Sequence, residues 1–367
     1  MKEKAARNGF MAFALKLMQN TAQAGKNVLV SPYSVIQALS MAAEGATGET
    51  RSEILSAMGV RDTADCRMYH SAQQSEHIKL LTANSAWVLQ NYPVRDDFIQ
   101  ALSENGLGEV FSVPFDSSTV EQVNHWINEK TDHMIPMIAE HFSDETAFCL
   151  VNAVCFQANW ILPYREHDLR PDYFTTADGT KQRITMMMNE YGREYLADEY
   201  AEGFVRAYKD KNYAFAALLP KEGMTPEEYL VGLTPERLCQ TLSEPVHSQS
   251  KVFTGLPKFK YKFSDSLNEA LKRAGINRAF MMKEADFSGI TNDPNGLFIS
   301  NVLHKTFIEV TPLGTSAGAG TLEEWAVACI AEPEPKRIIL NRPFVYLIFD
   351  RQTKLPLFIG TVNSITD

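Results

Sequence analysis

The sequence predicts one α+β domain over residues 1–367. Helical and strand-like segments are mixed irregularly along the chain, without the regular strand–helix repeat of a parallel α/β fold. No internal repeat, linker or change of composition divides the 367 residues. Apolar residues make up 45% of the chain and charged residues 22%, as is typical of a soluble globular protein. We therefore expect a large core formed by helices and mainly antiparallel strands.

The elements of the first half follow from apolar periodicity and from capping residues. Helical spacing of apolar residues indicates helices, and a nearly continuous apolar run indicates a strand buried on both faces. Ser31 and Pro32 suit the N-cap and first position of a helix, and Pro136 suits the end of another. In order, the sequence predicts a helix over 5–24, a strand over 28–30, helices over 33–44 and 49–58, a strand over 84–89, a helix over 123–138 and a buried strand over 148–160.

The second half of the chain is richer in strands. Strand signals recur over 174–219 and are separated by the turn pairs Asp178-Gly179 and Lys209-Asp210. Gly275 stands just past a predicted helix, where a left-handed C-cap residue is expected. The other predicted elements are helices over 225–242 and 266–274 and strands over 252–253, 259–261, 306–310, 338–340, 344–349 and 357–362.

Charge and cysteine content exclude several classes of protein. The 35 basic and 45 acidic residues give a net charge of −10, which argues against nucleic acid or an anionic membrane as the main partner. No apolar run is long enough for a membrane span, and the N-terminal residues lack the apolar core of a signal peptide. We expect a cytoplasmic protein, or an extracellular one if a signal peptide was removed. The five scattered cysteines fit buried thiols better than a disulfide framework or a zinc site.

The segment 311–337 differs from every predicted core element. It places 27 residues between two strands, first small and glycine-rich, then ending in two prolines. Connections of this length in a compact domain are usually functional or disordered. From composition alone, a plain surface loop explains the segment as well as a functional one does.

Catalytic and metal-binding interpretations have weak support. A Gly-x-Ser-x-Gly pattern surrounds Ser316, but an α/β-hydrolase needs its histidine after the serine, and all eight histidines come earlier. Cys329 has no recognisable general base near it in sequence. Three histidines repeat every eight residues from His125 to His141, a spacing that turns each about 80° from the last on a helix. We therefore predict no catalytic residue, no metal site and no cofactor.

Five segments resemble signature segments of the serpin family, in the order in which that family carries them. They are 27–35, 45–50, 150–160, 285–290 and 341–344. The resemblance covers nearly the whole chain. It implies three β-sheets, eight or nine helices and an exposed reactive-centre loop at about 311–337. It also implies a monomeric serine protease inhibitor that traps its target as a 1:1 covalent complex and is not an enzyme.

In that family, the loop is cleaved by the target protease and then inserts as an extra strand into the main sheet. Counting fourteen residues from the hinge threonine, Thr315, places the scissile bond at Ala328–Cys329, with Val327 and Ile330 as flanks. These small or aliphatic residues suggest an elastase-like target, and neighbouring bonds remain open. The resemblance assigns the hinge to small residues, which suit a strand that must pass between two others: Gly314, Thr315, Ser316, Ala317, Gly318, Ala319, Gly320 and Thr321.

Two further groups carry over from the resemblance. The shutter, a hydrogen-bonded group under the main sheet, corresponds to Ser31, Ser34, Asn152 and His304. The breach, where the loop first enters the sheet, corresponds to Trp160 and Lys258.

The loop also departs from the pattern of inhibitory serpins. Pro312 stands where many of them carry a glutamate that pairs with the lysine matched by Lys258, and it removes a backbone donor from the top of the strand. Glu323 would face inward near the end of the inserted strand, and Gly318 and Gly320 add conformational entropy to be lost. A non-inhibitory serpin whose loop is cleaved as a plain substrate, with a binding or transport role, therefore stays the alternative.

Overall fold

A computed structural model describes residues 2–69, 77–293, 296–315 and 334–365. Within these ranges the chain forms eight α-helices and seventeen strands. The helices are α1 (Lys2–Thr21), α2 (Pro32–Gly45), α3 (Gly48–Met58), α4 (Asp96–Glu104), α5 (Ser117–Lys130), α6 (Pro226–Gly232), α7 (Pro235–Ser243) and α8 (Asn268–Ala274).

The strands are two to twelve residues long. They are β1 (Val28–Val30), β2 (Ile78–Leu89), β3 (Glu109–Val113), β4 (Phe148–Asn159), β5 (Leu169–Thr175), β6 (Lys181–Glu190), β7 (Glu194–Ala197), β8 (Ala201–Ala207), β9 (Tyr213–Pro220), β10 (Val246–His247), β11 (Val252–Pro257), β12 (Phe259–Ser266), β13 (Asn301–Val310), β14 (Gly314–Thr315), β15 (Lys336–Ile339), β16 (Phe344–Asp350) and β17 (Pro356–Val362).

These strands form three sheets, which confirms the predicted α+β class and the number of sheets. The central sheet has the order β12-β13-β14-β4-β2-β3, a second has the order β1-β17-β16-β9-β8-β7-β10, and a third has the order β15-β11-β6-β5. Most neighbours are antiparallel, as expected, but β2–β3, β4–β13 and β11–β15 pair in parallel. The strand directions within the central sheet are therefore mixed.

The apolar core lies on both faces of the central sheet. On one face a large cluster packs the sheet against α2 and the second sheet and extends to α1, and it includes Leu150 and Val154 of β4. On the other face a smaller cluster includes Val123 and Ile127 of α5 and Val151 of β4. Since β4 contributes to both clusters, its nearly continuous apolar sequence is explained by burial on two sides.

Helix α2 runs beneath the central sheet and positions part of the candidate site. Ser31 caps it as predicted, because its Oγ accepts a hydrogen bond from the Ser34 amide, and Pro32 occupies its first position. Nearly every residue of α2 is buried, and the helix contacts β2 and β4 of the central sheet and β17 of the second sheet. Any polar side chain on this helix must therefore find partners inside the protein.

Two predicted helices have different bounds in the structure. The helix predicted over 123–138 ends at Lys130, because Asp132 and His133 adopt left-handed backbone angles well before Pro136. The helix predicted over 225–242 is two helices, α6 and α7, because Pro235 begins a new helix capped by Thr234. In both places a local breaker overrides an otherwise helical pattern.

Strands β14 and β15 take residues from both ends of the predicted loop 311–337. Residues 316–333 lie outside the described part of the chain. The predicted residues that fall there are the hinge residues Ser316, Ala317, Gly318, Ala319, Gly320 and Thr321, the inward-facing Glu323, the flanks Val327 and Ile330 and the scissile pair Ala328 and Cys329.

Candidate functional site

Strand β14 lies between β4 and β13 at one end of the central sheet. Asn159 ends β4 there and Val310 ends β13, and we call this the upper end of the sheet. Gly314 and Thr315 pair antiparallel with β4, and Thr315 also pairs antiparallel with Val310. Below β14, residues 149–155 of β4 pair directly and in parallel with residues 301–307 of β13. The first two residues of the predicted hinge therefore already occupy the upper end of the space between these strands.

A tight turn brings β14 back against β13. Thr311 donates to the Gly314 carbonyl through its amide (2.8 Å) and through its hydroxyl (2.9 Å). Pro312 occupies the second position of this turn, where its fixed φ is favourable and no amide donor is needed. The expectation that Pro312 would remove a donor from a strand is therefore wrong. Glycine is required at 314, since a Cβ there would lie 2.0 Å from the Ala158 carbonyl oxygen.

The side chain of Thr315 is fully buried and anchored by an aromatic pair. Its hydroxyl lies 2.7 Å from that of Tyr208, whose ring stacks on Trp160 at 4.7 Å between centroids and 7° between planes. Burial raises the pKa of Tyr208, so the phenol is neutral and can donate to Thr315. Trp160, a predicted breach residue, thus lies beside β14, whereas no sequence signal singled out Tyr208.

Residues 160–164, which we call the docking segment, donate hydrogen bonds to backbone carbonyls at the base of the loop. Trp160 donates from Nε1 to the Thr311 carbonyl (3.0 Å) and from its amide to the Leu313 carbonyl (2.9 Å). The Tyr164 amide donates to the Pro312 carbonyl (2.9 Å). Three consecutive carbonyls before β14 are therefore held by two residues of one segment.

Lys258, the other predicted breach residue, has different surroundings. It is exposed at the junction of β11 and β12, and its amide donates to the Thr185 carbonyl (2.9 Å). Its side chain lines a cavity of about 240 Å³ together with Glu309, and it forms no ion pair with any described carboxylate. The structure therefore does not join Lys258 to Trp160 in one cluster.

The four predicted shutter residues do meet under the middle of the central sheet, and all are buried. Asn152 on β4 lies opposite His304 on β13, and its amide oxygen is 2.5 Å from His304 Nδ1. Ser31 donates from its amide to His304 Nε2 (3.2 Å). Ser34 donates from Oγ to the Asn152 amide oxygen (2.9 Å), and Asn152 Nδ2 donates to the Ser34 carbonyl (2.9 Å).

The same network includes two residues that the sequence analysis missed. Asn84 on β2 lies directly opposite Asn152, accepts a hydrogen bond from its Nδ2, and donates to Gln37 Oε1 (2.8 Å). The signal that could have found Asn84 is an amide side chain in the interior of a strand with mostly apolar neighbours. The complete network joins three adjacent strands to α2, so parting β4 from β13 breaks a buried hydrogen bond.

His304 is neutral in this network. Its Nδ1 must carry the proton, because the amide oxygen of Asn152 can only accept, and its Nε2 must be bare to accept from Ser31. Burial lowers the pKa of His304 from 6.5 to about 3.

This shift makes stability depend on pH. The unfolded chain binds a proton at His304 below pH 6.5 and the folded chain binds it only near pH 3, so acid favours unfolding in that window. We expect the free energy of unfolding of wild type to fall about 2 kcal/mol further than that of His304→Gln between pH 7 and pH 5. Urea unfolding of both proteins at the two pH values measures the difference, and equal losses would show that His304 does not titrate this way.

Two other features concern only the described ranges. No group of three or more His, Cys, Asp or Glu side chains there is arranged to hold a metal ion. No helix there combines the length and hydropathy needed to cross a bilayer.

Comparisons with known proteins agree with this geometry. Residues 8–365 match the family described as Serpin (serine protease inhibitor). An uncharacterised serpin-like protein of Thermococcus kodakarensis is 32% identical over 381 residues, covering 100% of this chain and 87% of the relative. The crystal structure of the thermophilic serpin Tengpin in its native state has a TM-score of 0.92 at 36% identity, covering 98% of this chain and 94% of that chain. Its latent state has a TM-score of 0.84 at 34% identity, covering 100% and 99%. The chain therefore belongs to the serpin family.

Proposed function

We propose that the protein is a monomeric suicide-substrate inhibitor of serine proteases with an elastase-like target. A protease would attack the Ala328–Cys329 bond, form an acyl-enzyme, and be displaced as the cleaved loop inserts into the central sheet. The observation that carries the proposal is β14, a hinge already paired with both strands between which the rest of the loop would enter.

The register of β14 specifies where each inserted residue would lie. Thr315 lies opposite Ala158 and Val310, and each further loop residue would pair one position lower on both strands. Six residues on, Thr321 would lie opposite both Asn152 and His304, which now pair with each other. Insertion therefore has to part the shutter pair, and the small residues before Thr321 allow the strand to reach it.

The free energy of insertion would come from new strand pairing. The loop would replace one parallel ladder between β4 and β13 by two antiparallel ladders, which are somewhat more stable per residue. In this register the ladder would extend to Trp325, opposite Phe148 at the start of β4. Ten residues beyond Thr315 add about 33 Å of strand, which would carry an attached protease far from its starting position.

The target class follows from the residues at the proposed scissile bond. Val327, Ala328 and Ile330 are small or aliphatic, which suits the pocket of an elastase-like enzyme and offers no cation to a trypsin-like one.

The alternative, a plain substrate with a binding or transport role, is favoured by Glu323. In the same register its side chain would face Leu150 and Val302, both fully buried.

Incubation with an elastase tests the proposed function. We expect a covalent band on a denaturing gel slightly below the summed mass of the protease and this 41.2-kDa chain, because cleavage releases the C-terminal fragment that begins at Cys329. The cleaved protein should unfold at a markedly higher temperature, because insertion completes the sheet. A clipped product with no covalent band and an unchanged Tm would support the plain-substrate alternative.

The hinge can be tested at Thr315, whose side chain is buried against Tyr208. Thr315→Arg would bring a long cation into this position, so deacylation should outrun insertion and the protein should become a substrate. We expect the number of inhibitor molecules consumed per trapped protease to rise roughly tenfold or more. Thr315→Ser keeps the hydroxyl and serves as the control. An Arg variant that still traps protease with wild-type stoichiometry would contradict the assignment of the hinge.

The inward position of Glu323 predicts a substitution that strengthens the inserted state. Glu323→Ala removes a carboxylate that would be buried between Leu150 and Val302, so the cleaved form should gain about 2 kcal/mol while the uncleaved form is unchanged. Calorimetry of both forms measures this. Glu334→Ala, beyond the proposed scissile bond and exposed, is the control. Equal effects of the two substitutions on the cleaved form would show that Glu323 is not buried by insertion.

A further inference from the structure

Arg206 on β8 is a buried cation directly beneath the docking segment. Its side chain is 1% exposed. The guanidinium donates from Nη2 to the Leu162 carbonyl (2.7 Å) and from Nη1 to Asn189 Oδ1 (3.0 Å). It also lies 4.0 Å from the ring centroid of Tyr164, 4.5 Å from that of Tyr191 and 5.7 Å from that of Trp160.

The charge of Arg206 has no counter-ion among the described residues. No described carboxylate forms an ion pair with it, and its Nε–H has no acceptor there. Aromatic faces, a carbonyl and an amide oxygen stabilise the cation only in part, and a buried charge without a partner is costly. An apolar side chain of similar volume would fill this position at lower cost to the fold, so packing alone does not explain an arginine here.

The contacts of Arg206 lead to the base of the loop. Leu162, whose carbonyl it binds, lies in the docking segment, and the rings of Trp160 and Tyr164 at the ends of that segment lie against its guanidinium. Trp160 and Tyr164 are the two residues that hold the carbonyls of residues 311–313. Arg206 thus lies beside both residues that bind the base of the loop, and it donates no hydrogen bond to residues 311–315.

We propose that Arg206 is a positioning residue that keeps the docking segment rigid and so holds β14 in the central sheet before cleavage. Residue 312 is proline and cannot form an ion pair with Lys258. Arg206 would supply the constraint that such an ion pair would otherwise give. Without Arg206, the docking segment and β14 would leave the upper end of the sheet more often. The inference extends the proposed function, but β14 docking can be measured without a protease.

The test is the rate at which a synthetic peptide of residues 315–328 anneals into the intact protein. This peptide needs the position that β14 occupies, so it should enter faster when β14 is released. We expect annealing to be about tenfold faster in Arg206→Met than in wild type, and a few-fold faster in Arg206→Lys, which keeps the charge but loses the forked donor. Arg337→Met is the control, since that exposed guanidinium packs on Phe253 (4.2 Å) in the third sheet.

Hydrogen exchange separates positioning from general destabilisation. In Arg206→Met the amides of Trp160 and Tyr164, which donate to the loop, should exchange at least tenfold faster, while the amide of Ser31 under the sheet keeps its wild-type rate. Uniformly faster exchange at all three amides, or annealing within twofold of wild type, would overturn the proposal. If Arg206→Met does not fold, Arg206→Lys decides by the same two measurements.

The two proposals fail in different ways. A wild-type protein that forms no covalent complex, while Arg206→Met still accelerates peptide annealing, would remove the inhibitory function and leave Arg206 as the positioning residue. A wild-type protein that traps protease, while both Arg206 variants anneal peptide at the wild-type rate, would support the inhibitory function and remove the positioning role of Arg206.

Discussion

The pairing between β4 and β13 is the constraint on which the rest of the structure depends. Residues 149–155 and 301–307 hold the two strands together in parallel below β14, while Gly314 and Thr315 separate them at the upper end. A parallel ladder is somewhat less stable than an antiparallel one, so this is the ladder that a third strand can replace with a gain in hydrogen bonding. Under the proposed function, the sheet is one strand short of its most stable arrangement.

Two buried polar clusters lie beside these strands, and they differ in charge. The network around Asn152 and His304 is neutral, each of its hydrogen bonds joins groups of matched donor and acceptor character, and it lies under the paired part of the strands. The cluster around Arg206 carries a charge without a counter-ion and lies beside the interrupted part. A satisfied neutral network gives one well-defined arrangement, whereas a charged cluster held by aromatic faces is sensitive to any shift of those rings.

Much of the fold was predictable from sequence because local chemistry determines it. Apolar periodicity and caps placed the strand before α2, the Ser31 cap, the buried strand β4 and the glycine after α8 within a few residues. Helices failed where a local breaker interrupts a helical pattern, as at Pro235 and at the left-handed residues after α5. Parallel pairing was not predictable, because strand direction depends on contacts between segments far apart in sequence.

The residues of the candidate site likewise fall into those that the sequence indicates and those that only the folded structure shows. The sequence by itself singled out Trp160, Gly314 and the four residues predicted as the shutter, since a family resemblance carries residues position by position. Only the tertiary structure decided that Pro312 forms a turn, that Tyr208 holds Thr315, and that Arg206 lies under the docking segment. The contacts of Tyr208 and Arg206 join residues 107 and 44 positions apart in the chain, and no spacing or periodicity along one segment records which distant side chain will contact it.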